Sequence, residues 1–89
     1  SKRTETPPTI TGITLKRDGE EAILTLTGAN LGTRPEFKPF ATLNDAPAKV
    51  VSTTESQAVI RIPGKAFRTG ANEFKLALDP FAIIRLNLQ

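Results

Sequence analysis

From Thr9 onward the chain is written in alternation: apolar and polar residues trade places at every second position in short runs, and the runs stop at Gly, Pro, Asn or Asp. Period two is the repeat of an extended strand, whose successive side chains point to opposite faces, and no stretch carries the apolar stripe of a helix. Glu73 to Leu78 is the clearest case, with Phe74, Leu76 and Leu78 set against Glu73, Lys75 and Ala77. A chain patterned this way must pair its strands into sheets and bury one face of each.

Along the chain, the β-branched run Thr9 to Leu15 contains Gly12, which suggests a bulge or a step between sheets. Asp18 and Gly19 mark a turn, and Glu21 to Thr27 then places Ala22, Leu24 and Leu26 on its core face. Gly28 to Pro39 reads as a long loop, followed by a short strand at Phe40 to Leu43 and a turn at Asn44 and Asp45 of type I′ or a relative. Lys49 to Ser52 and Gln57 to Ile62 form the next two strands, with Ala58, Ile60 and Ile62 inward and Val59 and Arg61 outward. After Asp79 and Pro80, a last strand from Phe81 to Leu88 turns Ala82, Ile84, Leu86 and Leu88 to the core and Phe81, Ile83, Arg85 and Asn87 outward. The expected fold is all-β, an immunoglobulin-like β-sandwich of about seven or eight short strands.

Composition narrows the chemistry. The 89 residues make one domain, read as positions 9–89 behind a linker or tail at 1–8 that ends in the stiff pair Pro7 and Pro8. There is no Cys, His, Met, Trp or Tyr. That removes thiol and imidazole catalysis, disulfides, and Cys or His metal sites together, and it leaves an aliphatic core without the Cys and Trp of antibody domains. Neither paired catalytic carboxylates nor a phosphate-binding Gly loop is present, so the reading is a non-enzyme with no cofactor and no assigned metal. No apolar run is long enough to span a membrane, and the start has no signal-peptide core. The chain begins at Ser1 rather than Met, as expected of a module cut from something longer. The net charge of +3 is an ordinary surface once Lys2, Arg3 and Glu5 of the tail are set aside.

The run Pro8 to Ile13, followed by Leu24, Thr25, Leu26, Thr27, Gly28, Ala29, Asn30, Leu31 and Gly32, resembles the opening of IPT/TIG domains. These are immunoglobulin-like modules found in plexins and transcription factors, in which a strand ends in Gly, any residue, Asn, an apolar residue and Gly. Ala41 to Ala48, Ala48 to Ser56, Ala58 to Pro63 and Gly70 to Leu78 continue the resemblance in order. Two loops depart from it: Lys16 to Glu21 replaces a Pro- and Gly-rich turn, and Asp45 and Ala46 stand where a Gly pair is common. In physical terms the Gly28 to Gly32 motif is structural, with Gly permitting positive φ, Asn30 pinning the turn and Leu31 plugging the end of the sandwich.

The candidate sites are few. Asp18, Glu20 and Glu21 offer oxygen ligands of the kind calcium prefers, although three acids in a hairpin turn are more simply solvated. Outward Arg61, Lys75 and Arg85 fall on opposite sheets, which argues against nucleic acid. A sugar face would have to use Phe37, Phe40, Phe67 or Phe81, because Trp and Tyr are missing. For protein partners, Phe81 and Ile83 beside Phe37 or Phe67 would make an apolar interaction patch, with a neighbouring domain of the same chain as its first occupant.

The resemblance and these residues together imply a non-catalytic spacer or docking module of a larger bacterial cell-surface or secreted protein, such as one that handles glycans. Direct carbohydrate or protein binding is the alternative, and DNA contact stands behind both. The expected location is extracellular or on the cell surface, without membrane insertion, and the export signal lies outside this segment.

Overall fold

The computed structural model of the protein describes residues 6–89, so Ser1 to Glu5 of the segment read as a linker lie outside the described residues. Seven strands follow in order: β1 (Thr9–Asp18), β2 (Glu21–Ala29), β3 (Phe40–Leu43), β4 (Ala46–Thr53), β5 (Gln57–Pro63), β6 (Asn72–Asp79) and β7 (Ala82–Leu88). A single 3₁₀ turn, Gly64–Ala66, follows β5, and there is no α-helix among the described residues. The protein is an all-β, immunoglobulin-like sandwich.

All neighbours pair antiparallel in the order β1, β2, β5, β4, β3, β6, β7. The layers are β1-β2-β5-β4 and β3-β6-β7, the order of the seven-stranded immunoglobulin sandwich. They form one curled sheet because β4 serves both: Ala46 to Ala48 pair with β3, and Lys49 to Thr53 pair with β5. This strand starts three residues earlier than the alternation predicts, with Pro47 inside it. Pro47 lies where β4 has β3 on one side and no strand on the other, the position that tolerates a residue without an N–H.

Local chemistry explains the turns. Asn44 and Asp45 both take positive φ (51° and 70°), as a type I′ hairpin requires. Gly19 does so at the first loop position between β1 and β2 (φ 66°). Between β6 and β7, the Asp79 side chain accepts the Phe81 N–H at 2.7 Å, and Pro80 supplies its fixed φ. Phe81 therefore belongs to the turn, and β7 begins at Ala82. In β1 the register shifts between Ile10 and Gly12, which keeps both Ile10 and Ile13 on the inner face although they are three positions apart.

The core lies between the layers. Leu24, Leu26, Ala58, Ile60 and Ile62 face Leu43, Phe74, Leu76, Leu78 and Ile84, all buried. Fully burying one such Leu, Ile or Phe is worth roughly 1.5–3 kcal/mol, so this set is the main source of stability in a chain that has no cysteine for a disulfide. Leu31 is completely buried and closes one end, as the motif suggests. Gly28, however, is needed for close approach rather than for positive φ, because a Cβ there would run into the Thr9 carbonyl of β1. The positive φ falls on Asn30 (62°), whose amide reaches the Pro7 carbonyl. Ala77, expected outward, is also buried, because its small side chain sits in a row between Phe40 and Ile83.

The pairing also fixes where the chain enters and leaves. Thr9 of β1 opposes Ala29, beside the start of β5 and the end of β4, while Leu88 of β7 opposes Asn72, beside the end of β3 and the start of β4. Since β4 runs from one of these ends to the other, the first and last strands meet solvent at opposite poles of a body 38 Å long.

Candidate functional site

Polar chemistry away from β7 is largely internal. Arg61 spans two acids, donating to Asp18 and to Glu21 at 2.8 Å each, so two of the three acids of the β1 and β2 turn are engaged. Those bonds, Asp18 first and Glu21 second, raise the Arg61 guanidinium above its usual value and keep it charged. Buried Asn72 accepts the Arg68 N–H and the Asn44 amide through one oxygen, and donates to the Arg68 and Gly70 carbonyls. Asn44 in turn donates to the Ala66 carbonyl and accepts the Glu73 N–H. This pair pins the crossover from β5 to β6, a corner that antibody domains secure with a tyrosine. A hollow by Arg17, Glu20, Glu21 and Lys65 mixes both charges and is bridged by the Gly64 N–H on the Glu20 carbonyl.

The surface around β7 is built differently. On the outer face, cross-strand pairing places Phe40, Ala77 and Ile83 in one row and Thr42, Lys75 and Arg85 in the next. Phe40 is 59% exposed and Ile83 47%, and the Phe37 ring tilts against Phe40 with centroids 6.5 Å apart. Phe81, 63% exposed, stands at the turn that starts β7. Phe67 does not join them: it packs against the core after the 3₁₀ turn. The structure thus gathers Ile83 with Phe37 through Phe40, sets Phe81 beside the strand start, and leaves Phe67 apart. The sequence offers Phe40 only as a ring for a sugar face, and cross-strand pairing makes it the link between Phe37 and Ile83.

Two hollows run along β7. One, of about 440 Å³, lies between Pro7, Pro8 and Ile10 on one side and Phe81 to Leu86 on the other. The second, of about 480 Å³, lies among Asn44, Arg68, Asn72, Glu73 and residues Arg85 to Asn87. They share Arg85 and Leu86, so together they follow the strand from Phe81 to Asn87. Lys75 and Arg85 are directly opposite each other, and neither forms an ion pair among the described residues. Arg61 is on the other layer, so the cations split between opposite faces as the usual strand order of such a sandwich implies. The arrangement offers backbone groups, apolar side chains, the cations Arg68, Lys75 and Arg85, and one carboxylate, Glu73.

Compared with known proteins, the chain matches no family model, no curated sequence and no solved structure.

Proposed function

We propose that this chain is a non-catalytic spacer and docking module of the IPT/TIG type, set within a larger bacterial cell-surface or secreted protein such as one that handles glycans. The observation that carries the reading is the placement of its first and last strands at opposite poles of a 38 Å body. A sandwich traversed from pole to pole separates its neighbours by a set distance, and the pinned β5 to β6 crossover and the Asn30 bond to Pro7 stiffen both ends. Function is geometric: the module holds a neighbouring binding or catalytic domain at a defined separation and orientation.

Fluorophores attached at the two ends test this. The expected distance distribution is narrow, centred near the long dimension of the domain, and broadened when Pro7 and Pro8 are replaced by Gly. A broad distribution in the parent chain, or ends lying side by side, would refute the spacer role.

Direct binding of a protein segment is a second reading, favoured by the apolar and cationic surface along β7. Carbohydrate ranks below it, since the exposed rings are Phe, which lack the polar handle that suits a wet sugar face.

A further inference from the structure

We infer that β7 is a docking edge that accepts an extended, acidic segment of a partner protein as an additional strand. The curled sheet ends at β1 and β7, and every second residue of an edge strand turns its N–H and C=O away from its neighbour. Along β7 these groups find no acceptor or donor among the described residues. Natural edges are blunted by proline, bulges or charge. β1 has two of these, the register shift at Ile10 and Gly12 and the charges of Lys16, Arg17 and Asp18. From Ala82 to Leu88, β7 has no proline and no glycine, and its one charge is Arg85.

The hollows describe what fits. They run lengthwise along the strand rather than closing into a pocket, which suits an extended chain rather than a compact ligand. On the outer face an incoming strand meets Arg85 between Ile83 and Asn87, with Lys75 behind Arg85 and Glu73 behind Asn87, and an acidic residue opposite Arg85 completes charges that have no ion-pair partner among the described residues. On the inner face it meets Ile84 and Leu86, with Ile10 across the hollow, and apolar residues suit these. The segment therefore alternates acidic and apolar residues. A second copy of this chain is the poorer occupant: joining two β7 edges brings Lys75 and Arg85 of each copy together, and like charges across a sheet repel.

The inference goes beyond the spacer reading and stands without it. The test is an NMR titration of the isotope-labelled chain with a capped peptide of about six residues alternating Val and Glu. Amide shifts are expected in β7 and at Ile10, and should be lost when alternate peptide nitrogens are methylated, since methylation removes backbone pairing and keeps the side chains. The Val and Lys counterpart should bind about tenfold more weakly, and Arg85→Glu, an exposed change, should reverse that preference. The proposal is overturned by shifts centred on β1, by equal response to both peptides, by no response, by concentration-dependent β7 shifts without peptide (a second copy), or by duplex DNA shifting β7 more than the acidic peptide does.

Discussion

β1 and β7 are both edge strands, yet they expose different things. In β1, Ile13 and Leu15 oppose Leu26 and Leu24 and so lie on the inner face, but they remain 48% and 45% exposed. Their layer has four strands and the facing layer three, so β1 overhangs the core. Its exposure is a matter of side chains, while its backbone edge is bent at Gly12 and crowded with charge at Lys16, Arg17 and Asp18. In β7 the inner residues Ala82, Ile84 and Leu88 are buried, and what lies open is the backbone edge with its flanking hollows. A fold that leaves two edges does not oblige a sequence to treat them alike. Here one is closed against pairing and the other is left suited to it.

The largest effect should come from the part the two edges share. Phe74→Ala empties the centre of the core and should cost about 3–5 kcal/mol in denaturant unfolding, with hydrogen exchange rising in β1 and β7 alike. Loosening confined to β6 and β7 would mean the layers do not act as one body.

Gly28→Ala should separate the edges. The added Cβ meets the Thr9 carbonyl, a backbone atom that cannot move aside alone, so a loss of about 2–3 kcal/mol is expected. Exchange should rise in β1 while β7 keeps its protection; equal rise in both would break the contrast. Asn72→Ala works from the other side. It leaves the Arg68 N–H and two backbone carbonyls without their Asn72 partner and removes one of the two bonds of the Asn44 amide, costs about 2 kcal/mol, and should loosen the foot of β6 and β7 before β1.

The smallest effect belongs to neither edge. Glu36, in the loop after β2, has its carboxyl held below the usual value by a hydrogen bond from its own backbone, against slight desolvation, with the Arg34 charge 3.4 Å away adding to the lowering. A depressed carboxylate stabilises the fold at pH above its unfolded value, and that contribution disappears as pH falls through the lowered folded value. NMR titration should find Glu36 below the usual glutamate, with Arg34→Gln moving it upward and leaving both edges unchanged.

Much of this was legible in the sequence because burial and period two are the same fact seen twice. Ala22, Leu24 and Leu26, then Ala58, Ile60 and Ile62 of β5, and Phe74, Leu76 and Leu78 alternate in the chain and are buried in the fold. Asn44 with Asp45 announced a type I′ turn and adopts positive φ at both positions. What escaped depends on partners distant in sequence. Ala77 is hidden by Phe40 and Ile83 of two other strands, and Asn44 meets Asn72 across 28 positions. The groove along β7 was illegible for the same reason: the apolar run Ala82 to Leu88 reads identically in a central strand and at an edge, and only the strand order distinguishes them.

Hydrogen exchange of the β1 and β7 amides, with and without the Val and Glu peptide, addresses the contrast between the edges most directly. The account predicts slowed exchange along β7 and no change along β1 beyond Ile10 when peptide is added. Protection gained equally on both edges, or on β1 alone, would contradict it.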